Sequence, residues 1–186
     1  MYYDIFILGC LMEEPHYGYN IKKKLTERFD VCTIINNNTL YSLLKSYEKM
    51  GVITKTTEMN EGKPNRNIYS ITKKGKRYFV EILRNFPDSL TKNRDEYMMR
   101  LYYFHLLDVP TRIKILDMRE RYLTAAIASV KSFQDVEDTL FIPKRPELNE
   151  FHLRLLQSEQ MLISQMREKV NDHCPISDEG EIRDSL

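Results

Sequence analysis

The feature that most constrains this chain is a change of period between Asn36 and Thr72. Up to Met50, apolar residues recur at Leu40, Leu43, Leu44, Tyr47 and Met50, the spacing of a helix buried on one side. The run Asn36-Asn37-Asn38-Thr39 offers several N-caps, and Gly51 stands where a left-handed residue ends a helix. The period then shortens to that of strands. Val52–Thr57 and Ile68–Thr72 are rich in β-branched residues, with Tyr69 and Ile71 on one face. Between them Glu61-Gly62-Lys63-Pro64-Asn65-Arg66-Asn67 reads as a turn-rich basic tip. The pattern specifies one helix running directly into a hairpin with a long loop.

Two helices precede this unit. Residues 3–12 are apolar almost all round, which predicts a helix buried on several sides, ended by Glu13-Glu14-Pro15. Tyr17-Gly18-Tyr19 opens a second helix with the stripe Ile21, Leu25, Arg28-Phe29 and with Lys22, Lys23 and Lys24 opposite. After the hairpin, Thr72 caps a fourth helix with the stripe Phe79, Ile82, Leu83 and Phe86, closed by Pro87. Three helices followed by a hairpin is the winged-helix order, a helix-turn-helix variant.

The remainder is helical. Tyr97–Leu107 is apolar on nearly every side, which favours an interior position for His105. Asp108 and Pro110 read as cap and first turn of a helix bearing Ile113, Leu116, Leu123, Ile127 and Val130. Residues 139–146, with Pro143 and Pro146, read as a linker or turn. A last helix, about 147–170, carries Leu148, Phe151, Leu155, Leu162 and Met166, together with Leu156, Ile163 and Val170. Two seven-spaced rows there predict contact with more than one neighbour. The expected fold is mainly α with a small β-hairpin wing. Residues 1–87 form a winged helix-turn-helix domain, residues 88–172 an α-helical C-terminal dimerisation domain, and residues 173–186 a flexible tail.

Charge divides the same way. The 186 residues hold 28 Lys+Arg and 27 Asp+Glu, which excludes a uniformly basic coat. Residues 1–93 nevertheless carry a net +5, residues 94–186 a net −4, and residues 36–84 alone a net +6. Such asymmetry points to an anionic partner for the first half. Cys10, Cys32 and Cys174 give no disulfide framework and no zinc spacing, and free thiols fit the cytosol. The N-terminus has no basic n-region, and the longest apolar stretch, Ile5–Met12, is too short to span a bilayer. A cytoplasmic protein without membrane contact is expected. No nucleophile elbow, phosphate loop, dinucleotide fingerprint or HExxH is present. His16, His105, His152 and His173 are dispersed, so neither an enzyme nor a metal or other cofactor is expected.

Double-stranded DNA is the partner that this order and charge suit. Entering a major groove requires a helix that is small and polar at its N-terminus. Asn37, Asn38 and Thr39, followed by Tyr41, Ser42 and Lys45, meet that requirement. A basic tip that reaches backbone or minor groove is supplied by Lys63, Asn65 and Arg66. The alternative reading is a winged helix that binds protein without DNA.

Three motifs then carry a resemblance. They are Pro15-His16-Tyr17-Gly18-Tyr19-Asn20-Ile21, the run Thr39-Leu40-Tyr41-Ser42-Leu43-Leu44 continuing to Gly51-Val52-Ile53, and Gly62-Lys63-Pro64-Asn65-Arg66 running on through Ile68-Tyr69-Ser70-Ile71-Thr72 to Gly75. In this order they resemble the PadR family of transcriptional regulators over about residues 3–86. Asn38 and Ser42 stand where the family pattern has Gly and Pro. The resemblance implies a homodimeric regulator, a repressor by type, acting on a palindromic operator. It also implies backbone contacts from Tyr41 and Ser42, and Lys63 and Arg66 on the wing. Tyr102, Tyr103 and His105 are the candidates for lining a small-molecule effector pocket.

Overall fold

In the computed structural model of the chain, residues 2–28, 35–59, 66–132 and 145–170 are described. They group into two compact units, residues 2–85 with 95–106 and residues 86–94 with 107–170. Among the sequence expectations, Lys63, Asn65, Phe29, Cys32, Cys174, residues 139–144 of the linker and the tail 173–186 lie outside the described residues.

The first unit is built on helix α1, Tyr2–Glu13. Ile5, Phe6, Ile7, Leu8 and Cys10 are all fully buried, as expected of a helix apolar on every side. Each large side chain so buried contributes about 1.5–3 kcal/mol. Helix α2 spans Gly18–Arg28, α3 spans Asn37–Lys49, and α4 spans Lys73–Arg84. Strands β2 (Ile53–Glu58) and β3 (Arg66–Ile71) form the hairpin.

Asn36 is the cap chosen among the four possible ones. Its side-chain oxygen accepts from the Thr39 amide at 2.7 Å. Leu40, Leu44 and Tyr47 are buried, and Tyr47 donates a hydrogen bond to the Asp4 carboxylate on α1. Met50 does not complete the stripe: it is the C-cap and is exposed, because the chain turns away at Gly51. Gly51 has φ +69°, a conformation that costs a residue with a Cβ about 1–2 kcal/mol. Thr72 caps α4, accepting from the Gly75 amide at 3.0 Å while its own hydroxyl donates to the Gly51 carbonyl at 2.8 Å.

One strand was not legible in the sequence. His16–Tyr17 forms β1, and the sheet runs β1-β3-β2, antiparallel throughout. Tyr17 pairs with Ile68 instead of opening α2, which begins at Gly18. Two residues are too few to show alternation, and their pairing depends on β3, some fifty residues away.

Residues 95–106 belong to this unit through a buried arginine. Helix α5 spans Arg94–Tyr102. Arg100 donates to the carbonyls of Ile82 at 2.5 Å and Leu83 at 2.8 Å, and to Glu96 at 2.8 Å. Its guanidinium thus satisfies carbonyls that the last turn of α4 leaves without helical partners. Burial lowers its pKa and Glu96 restores part of the shift. Beyond α5, Tyr103 meets Phe79 edge-on at a centroid distance of 5.1 Å.

The second unit pairs α6 (Val109–Ser132) with α7 (Pro146–Glu168). Asp108 accepts from the Thr111 amide at 2.9 Å and Pro110 sits in the first turn, as the sequence predicts. Ile115, Leu116, Leu123 and Ile127 of α6 are buried, as are Leu153, Leu156 and Ile163 of α7. A buried ion pair crosses this layer: Arg119 donates to Glu159 at 2.7 Å. Arg119 also donates to the Thr91 carbonyl, and Arg94 lies 3.4 Å from the other Glu159 oxygen. Arg112 donates to the carbonyls of Leu107 at 2.7 Å and Val170 at 2.8 Å.

The two apolar rows of α7 separate. Leu156, Ile163 and Val170 are buried, whereas Leu148 and Phe151 are 60% and 61% exposed and Leu155 is also exposed. Among the described residues, no helix is long and apolar enough to cross a membrane.

Candidate nucleic-acid interface

Helix α3 presents its polar residues as one stripe. Asn38, Tyr41, Ser42 and Lys45 recur at i, i+3, i+4 and i+7, and all four are exposed. Asn37 is exposed as well, and its side-chain oxygen accepts from Lys22 at 2.9 Å, which ties α2 to the start of α3. Thr39 is half-buried, with its amide committed to the Asn36 cap.

Tyr41 reaches from this stripe into a cleft of about 490 Å³. Tyr17, Tyr19, Arg66, Asn67 and Tyr69 line the rest of it. The cleft therefore joins the first turn of α2, the outer face of α3 and the wing strand β3. Gly18 allows the close approach: a Cβ there would lie 2.9 Å from the Tyr41 ring. Tyr19 is largely exposed at the rim, and Tyr69 is buried at the base. Burial is the first cause of the raised pKa of Tyr69.

Arg66 is the wing residue that the described structure places here. Its guanidinium stands 5.9 Å from the Tyr17 ring centroid, a distance at which a cation is attracted to the ring face. Tyr17 in turn donates its hydroxyl to Glu58 at 2.7 Å. That bond raises the tyrosine pKa, with Arg66 acting in the opposite direction. Across the strands Thr57 donates to Asn67 at 3.0 Å.

Several lysines are engaged within the protein. Lys24 lies 3.4 Å from Glu13 and 3.3 Å from Glu14, and donates to the buried His16 at 2.9 Å. Lys23 pairs with Glu27 at 3.6 Å. Lys74 donates to the Met50 carbonyl at 2.6 Å, where the dipole of α3 favours a cation. The Lys22–Lys24 run is thus held by neighbouring acceptors more than it is a free basic patch.

The aromatic half of the cleft has no signature in the sequence that marks it as a binding surface. Tyr17 and Tyr19 flank a helix start and Tyr69 lies on a strand face in the sequence, and no local spacing relates them or Asn67 to Tyr41. The three effector candidates do not share a surface position. Tyr103 is buried, and a Cβ on Gly9 would overlap its ring. Tyr102 is exposed, and so is His105, which corrects the interior position expected for it. The reason is local: residues 104–106 form a single 3-10 turn that buries Phe104 and Leu106 and turns His105 outward. Among the described residues, no group of three or more His, Cys, Asp or Glu is placed to hold a metal ion.

Helices α1 to α3, the hairpin and the polar cleft beside α3 define a winged helix-turn-helix module. The family model of PadR-like transcriptional regulators matches residues 7–81. An uncharacterized protein of Lysinibacillus sphaericus is 30% identical over 86 residues, covering 46% of this chain and 78% of that protein. A transcriptional regulator from Clostridium thermocellum, known as a solved structure, is 33% identical over 50% of this chain and 84% of that one, with a TM-score of 0.43. The structure of Bacillus subtilis PadR in complex with operator DNA is 17% identical, over 92% of this chain and 100% of that one, also with a TM-score of 0.43. The chain belongs to the PadR-like family of transcriptional regulators.

Proposed function

We propose that this protein is a site-specific DNA-binding repressor that acts as a homodimer in the cytoplasm. The observation that carries the reading is the convergence of the α3 stripe and Arg66 on one cleft, through Tyr41. Asn37, Asn38, Thr39 and Ser42 face the major groove. Lys45, Lys63 and Arg66 neutralise phosphates, and the released counterions supply most of the affinity, while Asn65 hydrogen-bonds the DNA backbone or minor groove.

Residues 1–87 serve as the DNA-binding domain and residues 88–172 as the dimerisation domain. The exposed row Leu148, Phe151 and Leu155 supports a second copy as the neighbour of α7, because a contiguous apolar face on a helix is costly to leave in water. Two copies would place their recognition helices about 34 Å apart, on successive turns of a palindromic operator. A small-molecule effector would act by changing that spacing.

The test is fluorescence anisotropy of the purified protein on the duplex from its own upstream region and on a scrambled duplex, across a salt series. Preference for the upstream duplex, weakening steeply with salt, is the expected result. Absence of preference and of salt dependence, followed by an empty genomic selection, would favour a protein-binding winged helix.

A further inference from the structure

Behind the Tyr17 wall of the cleft beside α3 stands a carboxylate, where a phosphate-binding surface gains nothing from one. Glu58 is the last residue of β2 and the cross-strand partner of Arg66. Its side chain is exposed, yet one oxygen accepts the Tyr17 hydroxyl at 2.7 Å. The same Tyr17 ring carries Arg66 over it. One acidic group is therefore directed at the hydroxyl and stands across the strands from the residue that supplies the guanidinium, the two groups at this end of the cleft best able to hold an anion.

We infer that Glu58 is an internal competitor for the backbone phosphate, occupying the Tyr17 hydroxyl and offsetting the charge of Arg66 until DNA displaces it. The inference rests on the DNA-binding reading above and adds an affinity-determining residue to it. The competitor lowers the affinity of the wing for any duplex, so that α3 must find its bases before the complex is stable. A neutral side chain of the same shape would still accept the Tyr17 hydroxyl but would not repel a phosphate.

The experiment compares wild type, Glu58→Gln and Glu58→Asp by anisotropy on the upstream and scrambled duplexes, over about 50 to 200 mM salt, a range in which phosphate contacts change affinity strongly. Circular dichroism and thermal unfolding verify that the variants fold. Glu58→Gln is expected to bind both duplexes about fivefold more tightly at low salt, the size of one unit repulsion at contact distance in a water-like medium. Its slope of log affinity against log salt should steepen by about one contact. Glu58→Asp, which keeps the charge, should stay within about twofold of wild type, far below the effect of removing that repulsion. Unchanged or weaker binding by folded Glu58→Gln overturns the inference while leaving the DNA-binding reading intact. Wild-type protein that binds neither duplex, here and in a genomic selection, overturns that reading and the inference with it.

Discussion

The hydroxyl of Tyr47, on the inner face of α3, donates to the carboxylate of Asp4 on α1. The bond joins the helix that faces outward with Asn38, Tyr41, Ser42 and Lys45 to the most deeply buried helix of its unit. It ties the helix that carries the stripe to the core of the unit. Tyr47→Phe leaves the Asp4 carboxylate without this donor and should cost about 1–3 kcal/mol in urea unfolding.

The same bond predicts an alkaline signature. Burial, then the bond to Asp4, raises the Tyr47 pKa far above its usual value of 10.0. The folded state therefore keeps a proton that the unfolded state releases above that value, so stability is full below about pH 10 and falls as pH rises past it. Urea midpoints measured at pH 9 and pH 11 should drop more for wild type than for Tyr47→Phe. Equal drops would count against the assignment.

On the outer face of α3 the expectation is opposite in kind. Tyr41→Ala and Lys45→Ala should weaken binding to the upstream duplex without lowering the melting temperature. Lys45→Ala should also make the salt slope shallower by about one contact. A fall in helicity on circular dichroism would show that the side chain serves the fold instead.

In the second unit, Arg119 and Glu159 are each only 2% exposed and share one bond of 2.7 Å. Removing Arg119 leaves the buried Glu159 carboxylate with only the solvent-exposed Arg94 beside it, so Arg119→Met should destabilise by about 3–5 kcal/mol. The double change Arg119→Met with Glu159→Leu should recover most of that loss, because no charge is then stranded. Chemical denaturation of the 186-residue chain measures both.

The exposed row of α7 yields a prediction about assembly. Replacing Leu148 and Phe151 together by Ser removes apolar area that the monomer does not bury. Light scattering should show a shift toward monomer, with far-UV circular dichroism unchanged. An unshifted mass would count against a second copy seated on this row.

Much of this molecule is written in local pattern. The burial of α1 on all sides, the α3 stripe, the turn at Gly51, the caps at Thr72 and Asp108 and the hairpin after α3 depend on residues a few positions apart. Period and cap chemistry act at that range, so the sequence alone decides them. Other features arise where distant segments meet. Strand β1 exists only because β3 lies beside it, and Arg100 is buried because the end of α4 offers it carbonyls. His105 points outward because its neighbours Phe104 and Leu106 take the interior. The two apolar rows of α7 look alike in the sequence; packing against α6 buries Leu156 and Ile163 and leaves Leu148 and Phe151 in solvent. The cleft brings Tyr17, Tyr41 and Arg66 together from three separate elements, and a contact between residues far apart in the chain has no periodicity to announce it.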